Sequence, residues 1–300
     1  MSIQSAGRGT AGGGARVVCG LVGQPVGHSL SPRLHNAAYE ALGLDWVYFS
    51  FDVAPERFAS AVSGAAALSF RGLSVTMPHK EQAVRAATRR SAMARKLGAA
   101  NTLTFEGGEI IAESTDGGGL LDDLSAGLGY LVREKRCGVI GAGGAARAVV
   151  LSLVEAGARE VLVVNRNRQR AFRAAALVPE RGRVARPEDL YDVDLVVQAT
   201  PLEMAVGRKA GEAAEDEKGP PRPAGVDPSR LGRGQVVVDM VYEPAETAFL
   251  AEAARQGATT RNGLGMLVHQ AARQVEAWTG SAPPLAAMWE AVSGVSHPLE

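Results

Sequence analysis

A lysine and an aspartate are the two residues of this 300-residue sequence that are best placed to move a proton. Lys80 begins a predicted helix shortly after a predicted strand at residues 72–76. Because the amino end of a helix disfavours a positive charge, a lysine there needs an anionic partner. Asp116, in the glycine-rich run 114–119, is the natural partner, and the pair could exchange a proton with a hydroxyl. A solvated lysine and a helix-capping aspartate explain the two residues equally well.

Two serines could bind a carboxylate. Ser29 and Ser31 lie in an extended loop beside a predicted helix start at Pro32, where hydroxyl donors and the helix field would favour an anion. Ser31 is also predicted to be the N-cap of that helix, with proline at the first helical position. Capping alone explains Ser31 but leaves Ser29 without a role.

Three further polar residues are candidates for a cleft, and each has a simpler explanation. Asn101 could be a turn residue, Gln270 an exposed helical residue, and Tyr242 a packing residue at the rim. His28 and His35 have no metal-ligand spacing with other candidates, so we interpret both as structural and expect no metal site.

The stretch from Arg136 to Arg170 predicts a dinucleotide-binding unit. Its strand, glycine-rich turn, helix and second strand lie at residues 137–140, 141–147, 147–154 and 160–164. Gly141 would permit the tight turn, Gly143 would let the backbone approach a pyrophosphate, and Ala146 would allow close packing of helix on strand. The free N–H groups of the helix would then face the phosphates. A tight turn without a ligand is the alternative.

The residues after the second strand favour NADP over NAD. An NAD site usually has an acidic residue there, but residues 165–170 contain three arginines and no acid. Planar guanidinium groups can bind a 2′-phosphate through paired hydrogen bonds. Arg166 is the best candidate, Arg170 lies one helical turn further on, and Arg168 is expected to face solvent. A solvated basic helix start is less favourable, because these cations oppose the helix dipole.

Composition excludes several classes of protein. Lys+Arg 32 balance Asp+Glu 32, so no global charge favours nucleic acid or an anionic membrane. Cys19 and Cys137 lie in apolar runs, which indicates buried thiols rather than zinc ligands or a disulfide, and fits a reducing cytoplasm. No apolar run reaches membrane-spanning length. Residues 1–15 are rich in Gly and Ser and are expected to form a disordered tail.

The pattern of elements predicts two α/β domains with a cleft between them. The first part alternates strands and helices and ends in a hairpin at Gly107-Gly108, which indicates a mixed sheet. Glycine-rich crossovers at 114–119 and 262–265 flank the nucleotide unit, with predicted helices at 120–128 and 266–279 following them. We therefore expect a substrate-binding domain at 16–116 plus 263–300, and a Rossmann-type domain at 117–262. Residues 205–234 are expected to form a flexible surface insertion.

The motifs together resemble the shikimate dehydrogenase family over nearly the whole chain after the tail. The matching stretches are 23–32 with His35 and Asn36, 75–80, 98–102, 115–117, 141–147, 165–166, 199–201, 239–244 and 265–270. The family reduces 3-dehydroshikimate to shikimate with NADPH, in the route to aromatic amino acids. The resemblance implies a cytoplasmic enzyme with a small-molecule substrate, as a monomer or homodimer.

The resemblance also implies roles for individual residues. Lys80 and Asp116 would be the catalytic pair at the reacting hydroxyl. The substrate-binding residues would be Ser29, Ser31, Ser74, Thr76, Asn101, Tyr242 and Gln270. The cofactor-binding residues would be Gly141, Ala142, Gly143, Gly144, Ala145, Asn165, Arg166, Arg170, Thr200, Gly263 and Met266.

Four residues depart from the family pattern. Ser74 and Ser114 stand where asparagine is common, Gln198 replaces an asparagine, and Glu203 replaces a glycine. Because the loss of one hydroxyl contact can change specificity strongly, Ser74 leaves a quinate/shikimate dehydrogenase or a shikimate-dehydrogenase-like enzyme as the alternative. A non-catalytic NADP-binding sensor is a further alternative, against which the presence of the catalytic pair argues.

Overall fold

The protein contains two six-stranded sheets, each covered by helices. The computed structural model describes residues 16–204 and 220–293. The first sheet consists of β1 (Val17–Gly23), β2 (Trp46–Asp52), β3 (Gly72–Val75), β4 (Arg89–Arg90), β5 (Thr102–Glu106) and β6 (Glu109–Glu113). Its helices are α1 (Ser31–Ala41), α2 (Phe58–Ala67), α3 (Lys80–Ala86) and α4 (Ala92–Leu97).

The first sheet is mixed, as the sequence predicts. Its strand order is β2-β1-β3-β5-β6-β4, with β1, β2 and β3 parallel and β5 antiparallel to both of its neighbours. Gly107 and Gly108 form the predicted two-residue hairpin turn, and their φ angles of 59° and 80° are those of the turn type that matches strand twist.

The second sheet is entirely parallel. It consists of β7 (Arg136–Ile140), β8 (Glu160–Val164), β9 (Gly182–Val184), β10 (Leu195–Gln198), β11 (Val236–Asp239) and β12 (Thr259–Arg261). The remaining helices are α5 (Asp116–Leu128), α6 (Gly144–Glu155), α7 (Arg168–Ala175), α8 (Ala248–Arg255), α9 (Leu264–Thr279) and α10 (Leu285–Val292). The order β12-β11-β10-β7-β8-β9 reverses direction between β7 and β10. This is the doubly wound arrangement, in which ligands bind at the reversal point.

Side-chain alternation along the strands supplies a core on both faces of each sheet. In β1, Cys19 and Leu21 face the cluster formed with α1, α9 and α10, whereas Val22 faces the cluster of α2 and α3. In β7, Val139 packs towards α5 and α6, and Ile140 packs towards α8. Cys19 and Cys137 are both buried free thiols, as predicted. No helix in the described ranges is long and apolar enough to cross a membrane.

The prediction for residues 114–119 is wrong in its secondary structure. Helix α5 begins at Asp116 rather than Leu120, so the three glycines lie inside its first turn. A Cβ on Gly117 would lie 2.1 Å from Ser152 Oγ on α6, and one on Gly119 would lie 2.7 Å from the backbone nitrogen of Gln270 on α9. These glycines therefore permit close helix packing rather than a hinge. Helix α9 likewise begins at Leu264, inside the second predicted crossover.

Part of the predicted surface insertion lies in the core. Val226 and Leu231 are fully buried in the cluster under α8, and short 3₁₀ segments occupy Pro223–Gly225 and Pro228–Arg230. Residues 205–219 and the predicted tail at 1–15 lie outside the described residues. The strands β4, β9 and β12 and the helix α4 were not predicted, because two to six residues are too few to show a hydrophobic period.

The glycine packing leads to a first prediction. Gly119→Ala should destabilise the protein by about 1–3 kcal/mol, because its methyl group overlaps α9. Gly64→Ala in α2 is the matched control, since a Cβ there meets no atom within 4 Å. It should instead stabilise the protein by up to about 1 kcal/mol through helix propensity. Urea unfolding measures both changes, and equal stability of the two variants would contradict the packing argument.

Candidate active site

Lys80 and Asp116 meet at the starts of two helices. Lys80 is the first residue of α3 and Asp116 is the first residue of α5. Lys80 Nζ donates to Asp116 Oδ2 at 2.6 Å, and the two side chains are only 16% and 8% exposed. The lysine therefore has the anionic partner that its position at a helix start requires. The partly buried setting strengthens the attraction between the two charges relative to water.

Asn101 connects the two helix starts. The backbone N–H of the preceding residue, Ala100, donates to the Lys80 carbonyl oxygen at 2.9 Å. The Asn101 side-chain Nδ2 donates to Asp116 Oδ1 and to Thr115 Oγ1, each at 2.9 Å, and lies 3.2 Å from Gln270 Oε1. Its Oδ1 accepts from the Thr115 backbone N–H at 2.8 Å. One buried amide thus fixes the position and orientation of the aspartate.

Ser74 belongs to a second buried network that sequence analysis missed. Its Oγ donates to Gln274 Oε1 and accepts from the Tyr48 hydroxyl, both at 2.7 Å. Gln274 Nε2 in turn donates to Thr102 Oγ1 at 2.9 Å and to the Asn101 carbonyl oxygen at 3.2 Å. Gln274 could have been found from its spacing, since it lies four residues after Gln270 on the same helix face. Tyr48 carries no such signal.

Ser29 and Ser31 lie together, but Ser31 is not the predicted N-cap. The cap position of α1 is Leu30, which makes no side-chain capping bond. Instead, Ser29 Oγ donates to Ser31 Oγ at 3.2 Å and accepts from the Ser31 backbone N–H at 3.2 Å. Burial raises the pKa of Tyr242, so its hydroxyl keeps the proton that it could donate to an anion.

The two predicted structural histidines differ in their surroundings. His35 is fully buried, stacks on Tyr48, and contacts the Ser31 carbonyl oxygen through Nδ1 at 2.9 Å. Burial lowers the pKa of His35 to about 4, so the ring is neutral at physiological pH. His28, by contrast, lines the cavity described next. Within the described ranges, no group of His, Cys, Asp and Glu could hold a metal ion.

A cavity of about 490 Å³ brings the predicted catalytic and substrate residues together. It is lined by the predicted catalytic residues Lys80 and Asp116, and by Ser29, Ser31, Ser74, Thr76, Asn101, Tyr242 and Gln270. Gly263 and Met266, predicted to border a nicotinamide, line the same cavity. The remaining wall includes Met204, Met240, Glu243, Leu267 and Gln274, which sequence analysis did not select.

The glycine turn lies at the reversal point of the second sheet. Gly141 has φ +120°, and a Cβ there would lie 3.1 Å from the Ala199 carbonyl oxygen after β10. Gly143 is the N-cap of α6 and has open space where a Cβ would be. A Cβ on Gly144 would lie 3.3 Å from Lys80 Cδ, so the turn adjoins the Lys80–Asp116 pair. The Thr200 hydroxyl is buried and has no partner within the described residues.

The arginines of the segment 165–170 are free to bind an anion, including Arg166 and Arg170, which are predicted to bind the phosphate. Arg166, Arg168 and Arg170 are exposed, and none of them forms an ion pair with a carboxylate in the described parts of the chain. Asn167 is the N-cap of α7, accepting from the Arg170 backbone N–H at 3.0 Å, and its carbonyl oxygen accepts from Asn165 at 2.9 Å. These two bonds order the backbone between the arginines.

Comparison with sequence families covers most of the chain. Residues 21–103 match the shikimate dehydrogenase substrate binding domain, residues 127–218 match shikimate / quinate 5-dehydrogenase, and residues 263–292 match the shikimate 5′-dehydrogenase C-terminal domain. The shikimate dehydrogenase (NADP(+)) of Methanopyrus kandleri is 42% identical over 285 residues, which are 92% of this chain and 94% of that protein.

Solved structures show the same fold. Shikimate 5-dehydrogenase from Thermus thermophilus, in complex with NADP(H) and shikimate, is 34% identical with a TM-score of 0.81, covering 93% of this chain and all of that one. The ligand-free 5-ketofructose reductase of Gluconobacter sp. strain CHM43 is 29% identical with a TM-score of 0.79, covering 95% of this chain and all of that one. The scaffold therefore also occurs with a different substrate.

The Ser74 network provides a second prediction. Ser74→Ala should lower the free energy of unfolding by about 1–3 kcal/mol, because Tyr48 and Gln274 each lose a buried partner. Combined with Tyr48→Phe, it should cost less than the sum of the single changes, because both remove the same bond. Chemical denaturation of the four proteins in this cycle measures the coupling. Strictly additive costs would mean that the Tyr48–Ser74 bond does not stabilise the fold.

Proposed function

The chain belongs to the shikimate dehydrogenase family, and we propose that it catalyses the reversible, NADP-dependent reduction of 3-dehydroshikimate to shikimate. One observation carries the proposal. The Lys80–Asp116 pair lies between the serines and amides of the cavity and Gly144 of the nucleotide turn. A substrate held by the polar wall would therefore place its reacting carbon between the proton donor and the cofactor site.

The catalytic pair moves the proton. Lys80 Nζ, held by Asp116 Oδ2, donates a hydrogen bond to the substrate carbonyl oxygen and gives up a proton as that oxygen becomes a hydroxyl. In the reverse direction, the same nitrogen accepts the hydroxyl proton. Asp116 keeps the ammonium group oriented, and Asn101 keeps Asp116 oriented. The starting positive charge on Nζ stabilises the negative charge that develops on the oxygen.

The polar wall fits a carboxylate and a hydroxylated ring. Ser29, Ser31 and Tyr242 supply hydroxyl donors for the carboxylate, and Thr76, Asn101 and Gln270 supply partners for the ring hydroxyls. Ser74 uses its proton on Gln274 and one lone pair on Tyr48, which leaves one acceptor lone pair for a substrate hydroxyl. It contributes chiefly by holding Gln274 in place.

The residues around the glycine turn, together with Gly263 and Met266 at the start of α9, fit NADP. Gly141 has a positive φ angle of 120°, and Gly143 has open space where a Cβ would be, which leaves room for a pyrophosphate. Ala142, Gly144 and Ala145 complete the turn. Asn165, Arg166 and Arg170 would hold the 2′-phosphate, and Thr200, Gly263 and Met266 the nicotinamide end. NADPH supplies the hydride when bound, and NADP⁺ accepts it in reverse.

The proposal includes the organisation of the chain. Residues 16–116 with 263–300 would form the substrate-binding domain, and 117–262 the NADP-binding domain. The packing of α9 and α10 with α1 against the first sheet supports the return of the chain to that domain. We also propose that the protein is cytoplasmic and that it is a monomer or a homodimer.

Initial rates test the proposed reaction. Shikimate with NADP should be oxidised far faster than shikimate with NAD or quinate with either cofactor. Lys80→Ala should lower turnover by about 100-fold or more while NADP binding survives, because the lysine acts on the proton. Comparable rates with quinate would indicate a quinate/shikimate dehydrogenase. NADP binding without turnover in the unmodified protein would indicate a sensor.

Arg166 should decide between the cofactors. Arg166→Ala should raise the KM for NADP by about tenfold or more, because a charge-assisted bond to the 2′-phosphate is lost. The KM for NAD, which lacks that phosphate, should stay nearly constant. Arg168→Ala is the matched control, an exposed arginine of the same segment that is expected to face solvent. Equal effects of the two variants would show a diffuse charge effect in place of a specific site.

A further inference from the structure

The loop that follows β10 forms part of the cavity wall. Pro201 and Met204 line the same cavity as Gly263 and Met266, the two residues assigned to the nicotinamide end. Under the proposed function, this is the wall beside the nicotinamide. The position of residues 199–204 therefore bears on how the reactive half of the cofactor would be held.

Glu203 ties this loop to the start of α8. Its Oε1 accepts from the Ala248 backbone N–H at 2.8 Å, and its Oε2 accepts from the Phe249 backbone N–H at 3.1 Å. These are the first two N–H groups of the helix, which have no partner within it. A carboxylate at this position is also favoured by the helix dipole. The Thr247 hydroxyl accepts from the Leu250 N–H, so the helix start is held by two side chains.

The other end of the loop is tied to the same structure. Gln198 Oε1 accepts from the Thr200 backbone N–H at 2.5 Å, and Gln198 Nε2 donates to the Thr200 carbonyl oxygen at 2.9 Å and to Asp239 Oδ1 at 3.2 Å. Asp239 Oδ2 accepts from the Thr247 hydroxyl at 2.9 Å. Hydrogen bonds therefore connect both ends of the loop to the end of β11 and the start of α8.

We propose that Glu203 is a positioning residue that places the loop 199–204 against the nicotinamide half of NADP by capping α8. Within the described ranges, residues 201–204 form no hydrogen bonds to another helix or strand except the two bonds of Glu203. Without them, the 201–204 wall is held only by packing and by the chain itself. The inference rests on the proposed function for the identity of the ligand.

Binding measurements separate positioning from general stability. Isothermal titration calorimetry would compare NADP with 2′-phospho-ADP-ribose, which lacks the nicotinamide. Glu203→Ala should weaken NADP binding by about threefold to tenfold, because the loop would contact only the nicotinamide half of the cofactor. The affinity for the nicotinamide-free ligand should stay nearly unchanged. Glu203→Gln retains one acceptor oxygen and should recover part of the loss.

A helix variant provides the control. Ala254→Gly, at an exposed position of α8, weakens the helix without touching the loop. It should lower the thermal midpoint as Glu203→Ala does, yet bind both ligands as the unmodified protein does.

Three outcomes would overturn the inference. They are unchanged NADP binding in Glu203→Ala, equal weakening of both ligands, and an unmodified protein that binds NADP no more tightly than the nicotinamide-free ligand. Failure of the proposed function is seen separately, as an unmodified protein that binds NADP but oxidises no shikimate. In that case the effect of Glu203→Ala on the affinity for NADP, compared with its effect on the affinity for 2′-phospho-ADP-ribose, still decides the role of Glu203.

Discussion

The ion pair between Lys80 Nζ and Asp116 Oδ2 is the interaction on which the site depends. Each residue is the first of its helix, so the pair exists only because α3 and α5 start within hydrogen-bond distance of each other. The segment 100–101 sets that distance, through a backbone bond to Lys80 and a side-chain bond to Asp116. Because the pair is largely buried, either charge without the other would carry a desolvation cost. Pairing offsets the cost of placing a charged lysine where its side chain is only 16% exposed.

Helix α5 transmits this arrangement to the second sheet. Its glycine turn packs against α6 and α9 at distances that a methyl group would not permit. Seven residues after Asp116, Asp123 forms a buried ion pair with Arg261 at the end of β12. Asp122 bonds Arg273 on α9. One helix therefore fixes Asp116 at its start and contacts the second sheet along its length. Gly117 and Gly119 allow the helices to approach each other closely, and neither of them has a positive φ angle.

The cavity distinguishes ligands by the direction of its hydrogen bonds. Ser74 and Gln274 are largely satisfied by protein partners, whereas Ser31 accepts from Ser29 and keeps its own hydroxyl proton, and Tyr242 lines the same cavity. Such a wall suits an anionic group at one end and hydroxyl groups at the other. A 5-ketofructose reductase has the same fold at 29% sequence identity, so the fold alone does not fix the substrate.

The sequence alone determined the α/β class, the mixed and parallel sheets, the hairpin and the glycine turn. These depend on local patterns: residue period, paired glycines, and a strand followed by a small-residue turn. It also selected part of the cavity wall, including Lys80, Asp116 and Asn101, because their motifs are local and ordered along the chain. The Lys80–Asp116 bond was expected on electrostatic grounds, but the pattern could not supply its distance.

Only the tertiary structure decided the rest. The glycines of α5, the buried part of residues 220–234, and the Tyr48–Ser74–Gln274 network depend on which elements meet in space. Ser31 was assigned as a cap because its sequence context is typical of one, yet its hydroxyl bonds Ser29 instead. Glu203 has no local partner, and its bonds are to residues 45 and 46 positions away. A hydrogen bond is set by distance and direction between two groups, and when they are far apart in the chain, only packing brings them together.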